Sequence, residues 1–229
     1  MFKIIAQYYI EQYSFLNLFN FITFRVGASI LTALFFSLIF GQYLINKISK
    51  IQPIGQPIRN DGPETHIIQK AGTPTMGGLL IILSVVISLI LWSDLQNTFV
   101  WIGFLALIFF GFIGFVDDYN KIRSNSSNGL TARTRIILQI FFALMISILV
   151  INNLDDHINT TISFPFFKNL VVNFGYFYLI ISLFIIVGSA NAVNLTDGLD
   201  GLAIVPVMIV AMTFAFIAYV SGNIVFSDY

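Results

Sequence analysis

Long apolar runs separated by short polar stretches set the pattern of this chain. A hydrocarbon core roughly 30 Å thick takes about 17 to 25 mostly apolar helical residues. About six runs approach that length, at 22–45, 75–92, 99–116, 136–151, 174–187 and 202–220, the fifth extendable through Gly188 and Ala190. No stretch between them suits a soluble domain. The pattern predicts an all-α, polytopic integral membrane protein with about six transmembrane helices, forming one membrane-embedded domain over 1–229. Residues 1–20 carry Lys3, several Tyr and Phe, and no small-residue cleavage site, so they predict an interfacial helix rather than a signal peptide.

The basic residues assign sides. Lys47, Lys50, Arg59 and Lys70 fall after the first run and Lys121, Arg123, Arg133 and Arg135 after the third, whereas the alternate side holds Lys3, Arg25 and Lys168. Cytoplasmic loops retain Lys and Arg, so 46–74, 117–135 and 188–201 are expected in the cytoplasm, and 93–98 and 152–173 outside. Composition narrows the chemistry. Hydrophobic residues make up 57% and charged residues 10% of the chain, too little polar surface for a soluble body of this size. Eleven basic residues balance eleven acidic ones, so no global field favours nucleic acid. With no cysteine, thiolate nucleophiles and Cys-type metal sites are excluded.

Three polar clusters fall on the side expected to be cytoplasmic. The first runs from Arg59 to Glu64 and continues through Lys70, Thr73, Pro74, Thr75 and Met76 to Gly77 and Gly78. Thr73 could cap a helix beginning at Pro74, whose free amides and dipole would form an anion site that Lys70 reinforces. Gly77 and Gly78 could equally serve close helix packing. The second cluster is the pair Asp117 and Asp118, directly after an apolar run. Adjacent helical residues point about 100° apart, so one carboxylate can face a cleft while the other meets a metal, a basic loop or water; a plain solvated helix end is the alternative. The third is Asn191, Asn194, Asp197 and Asp200, interrupted by Gly198 and Gly201. On a regular helix each three-residue step falls about 60° short of a turn. These groups would then fan over half the circumference, so a broken helix wrapping a polar ligand is expected, against the alternative of a simple turn.

Lys70 to Gly78, Gly114 to Tyr119 and Asn191 to Ala203 together resemble the signatures of the MraY-type sugar-phosphate transferase family, the phospho-N-acetylmuramoyl-pentapeptide transferases. Transferases acting on UDP-N-acetylglucosamine share the double aspartate, but the wording of the first cluster resembles the MraY type. The resemblance implies transfer of phospho-N-acetylmuramoyl-pentapeptide from UDP to undecaprenyl phosphate at the cytoplasmic face of the bacterial inner membrane, giving lipid I and UMP for peptidoglycan synthesis. Magnesium is implied as cofactor, with Asp118 and the Asn194 carbonyl as ligands. Asp117 is implied as base on the lipid phosphate, and Lys70, Thr75, Asn191, Asp197 and Asp200 as the lining of the uridine-diphosphate pocket. The family implies a dimer of about ten spans. Against that, a chain of 229 residues is expected to be truncated at its C-terminus, and either an inactive remnant or a half-enzyme needing a second chain.

Overall fold

A computed structural model describes residues 1–52, 55, 73–124, 129–156, 158–164, 167, 170–197 and 202–222. Helix α1 (Phe2–Tyr9) and a 3-10 helix (Ser14–Asn20) precede α2 (Ile22–Ile51), α3 (Gly78–Trp92), α4 (Thr98–Ser124) and α5 (Ala132–Asn153). Strands β1 (Thr161–Ser163) and β2 (Val171–Asn173) follow, then α6 (Phe177–Thr196) and α7 (Ile204–Ser221). All six expected runs are helical. Five are long and apolar enough to cross a membrane, while α3, at 15 residues, is shorter. At 1.5 Å per residue, α3 extends only about 22 Å.

The chain divides into two compact units, Met1–Leu179 and Ile180–Tyr229. In the first, α2 packs mainly on α3, and α4 on α5 and α3. The packing suits lipid rather than water. Phe35, Leu38, Ile39, Phe112, Ile137 and Phe141 are exposed, whereas Ser84 and Ser88 of α3 and Gln139, Ala143, Ile146 and Ser147 of α5 are buried. Hydrocarbon gives apolar side chains no reason to leave the surface, so helices meet on small and hydrogen-bonding residues. Ser84 and Ser88 keep their hydroxyls satisfied on the carbonyls one turn back, at 2.8 Å each. Gly111 of α4 admits Ile82 of α3 so closely that a Cβ there would fall 2.6 Å from its terminal methyl.

The second unit holds the greater part of α6 and all of α7, both apolar around most of their circumference. Pro206 lies in the first turn of α7, where the missing amide breaks no helical bond.

Two expectations change and one feature is added. α3 starts at Gly78, not Pro74, so Thr73 is not its cap; Gly77 takes that position without a side-chain bond. α6 continues unbroken through Gly188 to Thr196, so Asn191 and Asn194 sit on helix rather than loop, and the break comes later. The reason is local: Ala190, Ala192, Val193 and Leu195 keep the run helix-compatible, and the Asn191 side-chain amide is satisfied on the Val187 carbonyl at 2.8 Å. Finally, the 152–173 connection contains an antiparallel pair, Ile162 opposite Val172. β-branched residues on both arms favour it, and the Asn173 side chain, accepting from the Gly175 amide at 2.8 Å, fixes the exit turn where Gly175 has φ +51°.

Candidate active site

Four helix ends of the first unit converge on one polar cluster: the C-terminal ends of α2 and α4 and the N-terminal ends of α3 and α5. Gln52, capping α2 and buried, accepts the Thr75 backbone amide on its side-chain oxygen at 3.0 Å. That bond takes up the Thr75 amide, so this group faces protein rather than an anion. The Thr75 hydroxyl donates to Asp118 Oδ2 at 2.9 Å. Met76 beside it has φ +73°, a left-handed conformation costing a side-chain-bearing residue roughly 1–2 kcal/mol. The turn into α3 is thus held in a strained form next to a site residue.

Asp117 and Asp118 are neighbours in sequence with different surroundings. Asp117 is enclosed, its side chain 9% exposed against 29% for Asp118. Its Oδ1 accepts from the Arg135 guanidinium at 2.6 Å and the Leu130 amide at 2.8 Å, and its Oδ2 pairs with Lys121 at 2.6 Å. The anion therefore meets two cations and an amide. Asp118 is bonded to Thr75 and lies 3.3 Å from the same Lys121, which leaves part of its carboxylate open. The 100° offset between adjacent helical positions turns one aspartate inward, toward α5, and the other toward α3.

Local sequence explains how α5 reaches Asp117. Thr131 caps α5 by accepting the Thr134 amide at 3.2 Å, which sets the helix start so that Arg135 lies in its first turn. Leu130, just before the cap, points its amide at the same carboxylate. In the sequence alone, Arg135 and Lys121 read as topology charges, and Gln52, Gly129 and Leu130 do not stand out. A spacing of four between Asp117 and Lys121 on one helix was the available signal for that pair; nothing local connects Gln52 to Thr75.

Of the expected site residues, Thr75, Asp117 and Asp118 come together. Lys70 and Asp200 lie outside the described residues. Asn191, Asn194 and Asp197 lie in the second unit at the C-terminal end of α6, Asn194 and Asp197 both exposed. Among the described residues, no three His, Asp or Glu side chains gather as a ready metal cage. A single open carboxylate suits magnesium, which takes one or two protein oxygens and leaves its other positions to water and phosphate; Asp118 meets that description, and enclosed Asp117 does not.

Comparison with known proteins bears on this arrangement directly. Residues 70–82, which include Thr75, match phospho-N-acetylmuramoyl-pentapeptide-transferase signature 1. The chain is 50% identical over 221 residues to a phospho-N-acetylmuramoyl-pentapeptide-transferase of Pelagibacter ubique, covering 96% of this chain and 61% of that protein. It is 49% identical over 213 residues to the protein of the same name from Rickettsia felis, covering 93% and 58%. The chain thus spans about three fifths of the length of these relatives. Residues 100–228, more than half of the chain and inclusive of both aspartates, match the model of glycosyl transferase family 4, and this bacterial membrane protein belongs to that family.

Proposed function

We propose that the chain carries part of the active site of a phospho-N-acetylmuramoyl-pentapeptide transferase, which joins the donor's sugar phosphate to undecaprenyl phosphate on the cytoplasmic face of the plasma membrane and releases UMP. The observation that carries this reading is the Thr75–Asp118 hydrogen bond. It links the stretch matching the transferase signature to the double aspartate, beside an Asp117 already held by Arg135 and Lys121.

The roles follow from the surroundings of each group. Attack of one phosphate on another crowds negative oxygens, and bound magnesium supplies the charge that offsets them. Asp118 would be the ligand from the first unit, and Thr75 holds that carboxylate in one orientation. Asp117 has three of its roughly four acceptor positions filled, so its part is to fix Lys121, Arg135 and the loop before α5 rather than to take a proton. The nucleophile needs little help, because a phosphomonoester with a second pKa near 6 is mostly ionised at neutral pH. The resemblance assigns Asn191, Asn194 and Asp197 to donor and metal binding.

The test is an assay with UDP-N-acetylmuramoyl-pentapeptide, undecaprenyl phosphate and magnesium, reading UMP and lipid I. It uses the chain joined to the part of the Pelagibacter ubique relative that it does not cover. Asp118→Asn should lower turnover by at least about a hundredfold with the protein still inserted, while Asp94→Asn, at the far end of the bundle, should leave turnover unchanged. Near-normal turnover of Asp118→Asn at saturating magnesium would sink the reading. Preference for UDP-N-acetylglucosamine as donor would move it to the other transferase type.

A further inference from the structure

A glycine stands where the loop before α5 meets the enclosed carboxylate. A Cβ built on Gly129 would fall 2.6 Å from the Asp117 carboxyl carbon and 2.8 Å from its Oδ2, and would touch Oδ1 as well. No real side chain tolerates such an approach unless the carboxylate moves. It is not free to move: the Leu130 amide, Arg135 and Lys121 hold its two oxygens at 2.8, 2.6 and 2.6 Å. The α4 glycines Gly103 and Gly114 differ, since a Cβ there would meet nothing within 4 Å.

We infer that Gly129 is a positioning residue: the absence of its side chain lets the loop backbone close on Asp117, so that the Leu130 amide and Arg135 together fix the carboxylate beside Asp118. The inference rests on the transferase reading only for what Asp117 and its neighbour do. Closure itself is a property of the fold. Any larger residue at 129 must push the loop away or rotate the carboxylate. Either movement breaks the Leu130 bond first, because it is the one bond supplied by the loop's own backbone.

The effect differs from a general loss of stability, and two readouts on the purified chain in detergent separate them. The first is hydrogen exchange at the Leu130 amide, which precedes α5 and owes its protection to Asp117. Gly129→Ala should speed that exchange about tenfold, the equivalent of one lost charge-assisted bond, and leave the amides of α5 beyond its first turn unchanged. Gly103→Ala should change neither. The second is a double-mutant cycle by thermal unfolding. Gly129→Ala should lower the midpoint in the native background and in Asp117→Asn, which keeps the side chain's volume. It should do so far less in Asp117→Ala, which removes the carboxyl carbon and both oxygens that the new Cβ would meet. Unchanged Leu130 exchange in Gly129→Ala would overturn the inference, as would an equal loss of midpoint in all three backgrounds. Should Gly129→Ala fail to fold, Gly129→Ala combined with Asp117→Ala should restore folding to the level of Asp117→Ala alone, and failure of the pair to reach it would count equally against the inference. Neither readout uses turnover, so failure of the transferase reading would leave these results standing.

Discussion

The two ends of the first unit carry ion pairs of opposite character. At one end, Lys3 pairs with Asp94, and Arg25 donates to the Trp92 carbonyl at 3.5 Å. Trp92 itself stacks on Phe19 at 5.8 Å, meets Phe2 at 4.9 Å and Phe24 at 6.0 Å, and donates its indole N–H to Thr32 at 2.8 Å. This is an aromatic belt with charges at its rim, the arrangement that seats a bundle at a membrane interface. At the other end, aromatic packing gives way to Gln52, Thr75, two aspartates, Lys121 and Arg135, and the Asp118 carboxylate is left partly open. The anchoring end sets its charges beside rings and leaves Arg25 Nε buried without a hydrogen-bond partner among the described residues. An end fit for phosphate chemistry encloses one carboxylate to hold its framework and leaves the next accessible.

Sidedness gives the largest contrast. The chain has no cysteine, so single replacements report cleanly. Ser124→Cys should label with an impermeant maleimide only after the cytoplasmic face is opened, and Asn97→Cys should label in intact cells. Labelling of Ser124→Cys from outside would invert the two ends and remove the proposed meeting of soluble donor and lipid.

Stability should separate the ends next. Arg135→Ala leaves an enclosed Asp117 with Lys121 and one amide, and losing a hydrogen bond to a charged group costs roughly 1.5–3 kcal/mol; chemical denaturation in detergent would measure it. Lys3→Ala should cost less than about 1 kcal/mol, because that pair is partly exposed. Equal losses would mean that the Asp117 cluster is no more enclosed than the rim.

The smallest effect is a pH dependence at the aromatic end. The hydrogen bond from the Lys3 ammonium holds the Asp94 carboxyl below its ordinary value; burial opposes this, while the Gln96 amide and the charges of Lys3 and Arg25 assist. A depressed carboxylate contributes stability that is present above the ordinary aspartate pKa of about 3.9 and is lost as pH falls through the depressed value. Unfolding midpoints of the native chain minus those of Lys3→Ala should thus shrink below about pH 4, by the small amount a rim pair provides. A difference that stays constant with pH would mean that Lys3 acts through packing alone.

Much of this was legible in the residues themselves. Hydropathy located the five candidate spans and the shorter α3 among the described residues, because a bilayer imposes a length and an apolar composition that few other constraints can mimic. The clusters at 70–78, 117–118 and 191–200 stood out because polar groups at the end of an apolar run need a reason to be there. Helix ends were harder. The start at Gly78 and the continuation of α6 to Thr196 depend on which side chains and carbonyls are free to satisfy the backbone, and those come from elsewhere in the fold.

By itself, then, the sequence determined the membrane class, the alternation of helices and the residue types gathered at the polar end, since each follows from local composition against lipid and water. Only the tertiary structure decided how those residues divide the work. Gln52 lies 23 positions from Thr75, Thr75 lies 43 from Asp118, and Arg135 lies 18 from Asp117. No local pattern couples residues so far apart. Helix packing brings them to hydrogen-bonding distance, and that packing encloses Asp117 while leaving Asp118 partly open.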